Sequence, residues 1–147
     1  MTRLFYAFLP LVGGAMIAAQ APVNARLRVA LASQFGSAIV SFVVGLILLT
    51  GALVVTGQAG ALASVGEGPW WAYLGGLFGA VFVVATLVAS PRIGVTTTFV
   101  AAIAGQIILS SLIDRFGWFG IDAIALSWER VLALVLMLVS LVLLLRG

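Results

Sequence analysis

Arginine punctuates this 147-residue chain into apolar stretches, and their lengths constrain the fold more than any other feature. All seven basic residues are arginine: Arg3, Arg26, Arg28, Arg92, Arg115, Arg130 and Arg146. A helix needs about 20 apolar residues to cross a hydrocarbon core roughly 30 Å thick. Five such helices are expected, at about 4–23, 31–55, 69–89, 94–113 and 127–145, with the loop TGQAGALASVGEG between the second and third. A water-soluble domain carries roughly 25% charged residues. Only 7% of this chain is charged and 64% is hydrophobic, so its solvent must be lipid. The expected fold is an all-α integral membrane protein, with residues 1–147 forming one domain of five transmembrane helices.

The same composition closes off most chemistry. Cysteine and histidine are absent, which removes disulfides, thiol and imidazole catalysis, and the usual zinc sets. The only acids are Glu67, Asp114, Asp122 and Glu129, and no two stand at ligand spacing. No metal, no cofactor and no enzymatic activity are therefore expected. The net charge of +3 comes without a basic cluster interleaved with aromatics, which argues against nucleic acid as a partner. Arg3, an apolar run and Ala19-Gln20-Ala21 together imitate a secretory signal. A cut there would leave Pro22 immediately after it, with four more spans following, so the stretch is expected to remain as the first helix.

With five spans the arginines divide almost evenly between the two faces. The N-terminal face receives Arg3, Arg115 and Arg130, and the other face Arg26, Arg28, Arg92 and Arg146, a count of 3 against 4. Orientation follows the Lys/Arg bias of short loops, and a difference of one hardly sets it. Such a chain can insert either way up, and two oppositely inserted copies would form an antiparallel homodimer of ten helices. The alternative is a single orientation fixed by other factors, with the second face in the cytoplasm. All four tryptophans (Trp70, Trp71, Trp118, Trp128) and both tyrosines (Tyr6, Tyr73) fall on the N-terminal face. These side chains favour the membrane–water interface, so one copy is belted on one leaflet and an inverted pair on both.

Lipid supplies no hydrophobic drive for helix association, so small residues mark the packing surfaces. The second helix has Ser33, Ser37, Ser41 and Gly45 at every fourth position, the third has Gly75 and Gly79, and the fourth has Ala101 and Gly105. Helices two to four are expected to pack as a group, with Ser33, Gly45, Gly75, Gly79 and Gly105 as packing residues. The fifth, VLALVLMLVSLVLLL, is nearly all large aliphatic and suits a lipid-facing or dimer-clamping role. Pro10 permits a kink in the first helix.

Ionisable residues within a membrane are functional candidates, yet none lies near a span midpoint here. Asp114 and Glu129 sit at span ends as possible coupling sites, with local pairing to Arg115 and Arg130 expected. The remaining candidates are neutral: Gln20 and Asn24 ending the first helix, Ser37 and Ser41 on the second, Thr96, Thr97 and Thr98 opening the fourth, and Gln106 at its middle. A central amide needs a partner in the protein or in a wet cavity, because lipid offers none. An interhelical hydrogen bond without any ligand would also satisfy it.

These residues sit in stretches that carry a resemblance: Gln20-Ala21-Pro22-Val23-Asn24 with Leu27, Gly36-Ser37, Ser41-Phe42-Val43-Val44-Gly45, Trp70-Trp71, Gly75-Gly76-Leu77-Phe78-Gly79, Pro91-Arg92-Ile93-Gly94-Val95, Gly105-Gln106, Ile113-Asp114 and Phe116-Gly117. Over nearly its whole length the chain resembles the YdcZ-type five-helix family of the drug/metabolite transporter superfamily. The resemblance implies a multi-pass protein of the inner (plasma) membrane, half the length of carriers built from two inverted five-helix repeats. In such carriers the fifth helix clamps the assembly and the first four line a path. It is also distantly similar to four-helix small multidrug resistance proteins, but lacks their first-helix glutamate.

The expected function is therefore secondary transport of a small molecule through a dual-topology antiparallel homodimer. Gln20, Asn24, Ser37, Ser41, Thr97 and Gln106 are expected to bind a polar solute near the two-fold axis, and Arg92 to draw anions to the mouth. Three alternatives stand beside this: half of a heterodimeric transporter, a proton-coupled drug exporter using Asp114 or Glu129, and a non-transporting accessory membrane subunit.

Overall fold

The computed structural model describes residues 2–146, with side chains from Tyr6 onward, so the side chain of Arg3 lies outside it. The long elements are α1 (Thr2–Leu31), α2 (Gln34–Val55), α3 (Gly75–Ile93), α4 (Val95–Phe116) and α5 (Trp128–Arg146). Short 3-10 helices cover Ala59–Ser64, Trp70–Leu74 and Trp118–Gly120, and no strand occurs among the described residues. Among the described residues, five helices are long and apolar enough to cross a membrane, the third counted from Trp70 to Ile93.

Several helices overrun the expected bounds. α1 does not stop near 23 but continues through Pro22, Arg26 and Arg28 to Leu31. α3 passes 89 and includes Pro91 and Arg92, and α4 ends at Phe116 rather than 113. Charge ends the match to hydrocarbon, not the helix: arginine and leucine are both good helix formers. The 30 residues of α1 span about 45 Å, the full bilayer with its headgroups. Long arginine side chains reach the interface from such ends.

The breaks have local causes. Ala32 adopts φ 49, and Ser33 (φ −147, ψ 123) caps α2 by accepting the Gly36 amide at 3.0 Å. Ser33 thus serves as a cap at the start of its stripe. A single residue, Gly94, joins α3 to α4 at φ 82, ψ 155, a region essentially reserved for glycine. Its carbonyl accepts the Thr98 amide at 3.1 Å and the Thr98 hydroxyl at 2.7 Å. Before α3, the Tyr73 hydroxyl accepts the amides of Gly66 (2.8 Å) and Gly68 (3.3 Å), drawing the loop onto the 3-10 turn.

The chain falls into two compact units, Met1–Val88 and Ala89–Gly147. In the first, α1 packs along α2; in the second, α4 packs along α5. The expected grouping of helices two to four runs across the two units. The small-residue spacing accounts for little of this packing. A Cβ on Gly79 would touch the Phe42 ring at 3.8 Å, whereas Gly45, Gly75 and Gly105 would meet nothing within 4 Å. α5 has no buried residue despite its contact with α4.

Candidate functional site

Residues four apart on a helix share a face, so Gln20 and Asn24 line one side of α1, and Ser37 and Ser41 one side of α2. The short turn at Ala32-Ser33 folds the two helices back on each other and brings these faces together. The Ser41 hydroxyl oxygen accepts both the Gln20 side-chain amide (2.9 Å) and the Asn24 side-chain amide (3.3 Å). The Ser37 hydroxyl donates to the Asn24 backbone carbonyl at 2.7 Å. Ser37 is fully buried and Asn24 is 4% exposed, while Gln20 and Ser41 are half-buried.

The cluster carries no charge and is only partly closed. Ser41 receives two donors, which leaves the side-chain carbonyl oxygens of Gln20 and Asn24 without a hydrogen bond among the described residues. Among the described residues no fully buried side-chain polar atom is left unpartnered, so these two acceptors open onto accessible space. Measured along the helices, Gln20 and Ser41 lie about 5 Å from their helix midpoints, and Asn24 and Ser37 about 11 Å, all toward the α1–α2 turn.

Four of the six expected binding residues thus meet in one place. The other two belong to the second unit. Thr97 is buried in the first turn of α4, beside an exposed Thr96 and the back-bonded Thr98. Gln106 is exposed and makes no hydrogen bond among the described residues.

Two buried polar residues escaped sequence reasoning: Thr86 and Ser90 on α3, flanking the fully buried Leu87. Their four-residue spacing matches that of the α1 and α2 pairs and was the available signal. Thr86 bonds back to the carbonyls of Phe82 (3.0 Å) and Val83 (3.1 Å), as a hydroxyl in a helix commonly does.

The acidic residues require a correction. Asp114 is not paired with its neighbour Arg115; it accepts from Arg130 at 2.8 Å, tying α4 to the first turn of α5. Both partners are partly exposed, 39% for Arg130 and 30% for Asp114. Glu129 is exposed and hydrogen-bonds Ser127 instead of pairing with Arg130. The pairing follows from the connecting loop, where the Ile124 amide donates to the Asp114 backbone carbonyl at 2.7 Å.

Compared with known proteins, the sequence matches the family described as "Putative inner membrane exporter, YdcZ" over residues 5–143. No curated protein and no solved structure gives a significant match. With the family match covering most of its length and five apolar helices of spanning length, the chain belongs to the DMT-type YdcZ family and is a multi-pass protein of the inner membrane.

Proposed function

We propose that the protein is a secondary transporter that moves a small polar molecule across the inner membrane through an antiparallel homodimer. The observation that carries this reading is the amide–hydroxyl cluster between α1 and α2. Unpaired polar groups are costly in lipid. Here two side-chain amides converge on one hydroxyl and leave two carbonyl acceptors open. A polar solute with hydrogen-bond donors would satisfy them. The absence of charge in the cluster suits an uncharged or weakly charged one.

The dimer is supported by the near-equal arginine count and by the behaviour of inverted-repeat carriers, which bind near the membrane midplane between their halves. Thr97 and Gln106 would offer further hydrogen-bonding groups to the solute, and Gly75, Gly79 and Gly105 would permit close packing as the halves rock. The ion pair of Asp114 with Arg130 weighs against proton coupling at that carboxylate.

Paired C-terminal fusions test the assembly: a fluorophore active only in the cytoplasm and a phosphatase active only in the periplasm. Comparable signals from both are expected. Signal from one alone would overturn the homodimer and leave the heterodimeric form, with a relative supplying the opposite half.

A further inference from the structure

We propose that α4 of one copy crosses α4 of the inverted second copy at Gly105-Gln106, with the two Gln106 amides bonded to each other. This rests on the antiparallel homodimer proposed above and names the contact at its axis. Three observations lead to it. α4 runs from Val95 to Phe116, which puts its midpoint between Gly105 and Gln106. The Gln106 side chain is exposed and has no hydrogen bond among the described residues, at a depth where lipid supplies none. A Cβ at Gly105 would meet nothing within 4 Å, so the backbone there is open to close approach.

Symmetry selects this residue. A two-fold axis lying in the membrane plane exchanges the two leaflets, so only residues at mid-depth meet their own counterparts. A glutamine amide is self-complementary under that operation, because each side chain offers N–H donors and a carbonyl acceptor. One Gln106 therefore donates to its counterpart and accepts from it. Ile103 and Leu109 lie on the same exposed stripe, three residues to either side. Inversion sets Ile103 of one copy against Leu109 of the other, extending the contact with apolar surface. It also carries Asp114 and Arg115 to opposite ends of the crossing, so like charges do not meet. Both copies then contribute Gln106 to the same point on the axis, and the polar lining is incomplete in either alone.

The chain has no cysteine, which allows a direct test. Differently tagged full-length copies carrying Ile103→Cys or Leu109→Cys are co-expressed and treated in membranes with a short bis-maleimide. The expected product is the mixed Ile103→Cys/Leu109→Cys dimer, with little of either self-product. Adding Gln106→Leu to both copies, or Gln106→Ser, whose side chain is too short to reach across, is expected to return that band to monomer. Fusion reporters confirm insertion of each variant.

Self-products without the mixed product would mean parallel packing, and would overturn both this contact and the antiparallel reading. No product at either position, with both reporter orientations still present, would overturn the α4 crossing while leaving the transporter reading intact. A mixed product unchanged by both Gln106 substitutions would overturn the amide pair.

Discussion

The α1–α2 hairpin and the α4–α5 pair solve the same problem by different chemistry. α1 and α2 are joined by neutral hydrogen bonds that begin about 5 Å from mid-helix, through Gln20, Asn24, Ser37 and Ser41. α4 and α5 are joined at one end, by the Asp114–Arg130 ion pair and a loop folded back on the α4 terminus. Depth separates the two. A charge at a span centre costs about 2.5–3.5 kcal/mol on insertion scales, so ionic contacts stay at the ends and amides and hydroxyls serve inside. The hairpin accordingly carries the neutral polar groups on which the proposed site rests, and the α4–α5 pair carries a clasp.

Four substitutions would break or sharpen that contrast, and the largest effect is expected in the clasp's loop. Gly117 ends α4 at φ 63, and a Cβ there would lie 3.0 Å from the Ile121 carbonyl oxygen. Left-handed backbone costs a non-glycine residue about 1–2 kcal/mol, and crowding typically adds about 1–3 kcal/mol. Gly117→Ala should therefore lower stability by about 2–5 kcal/mol in detergent unfolding; an unchanged midpoint would mean the loop does not hold the α4 end.

Next comes the hairpin. Ser41→Ala removes the shared acceptor and leaves two amides unpaired, at about 1–3 kcal/mol for such groups. It should also abolish uptake of whatever solute the protein moves in proteoliposomes. Stability loss with uptake intact would reduce the cluster to a structural contact.

Asp114→Asn should matter less, by about 0–1 kcal/mol, because both partners of its ion pair are partly exposed. High salt should diminish that loss for the clasp but leave the Ser41→Ala loss unchanged; equal salt responses would erase the distinction between the two regions. The smallest effect is expected at the hairpin turn. Ala32 sits at φ 49, so Ala32→Gly relieves local strain while loosening the unfolded chain, for a net gain of a few tenths of a kcal/mol at about the limit of measurement.

Hydropathy alone revealed the five helices, because an apolar run of spanning length has few other solutions. Their ends were hidden. Arg26, Arg28 and Arg92 mark where hydrocarbon stops, and the helices continue past all three. The residues of the α1–α2 cluster could be picked out by type and four-residue spacing. Their convergence on Ser41 required the turn at Ala32-Ser33, which composition does not disclose. The partner of Asp114 was out of reach for the same kind of reason. Sequence proximity favoured Arg115, but Gly117 turns the chain so that Arg130, 16 residues away, arrives first. A Cβ at Gly45, Gly75 or Gly105 would meet nothing within 4 Å among the described residues, so the small-residue spacing does not mark the contacts inside either unit.

Inverted pairing of two identical chains is the central claim, and labelling of a terminal thiol tests it most directly. Residues 1–147 hold no cysteine, so one appended after Gly147 would be the sole thiol of this chain. In intact spheroplasts, a membrane-impermeant maleimide should label one share of the chains, and the remainder should react only after permeabilisation. Complete labelling from outside, or complete protection until permeabilisation, would contradict the account.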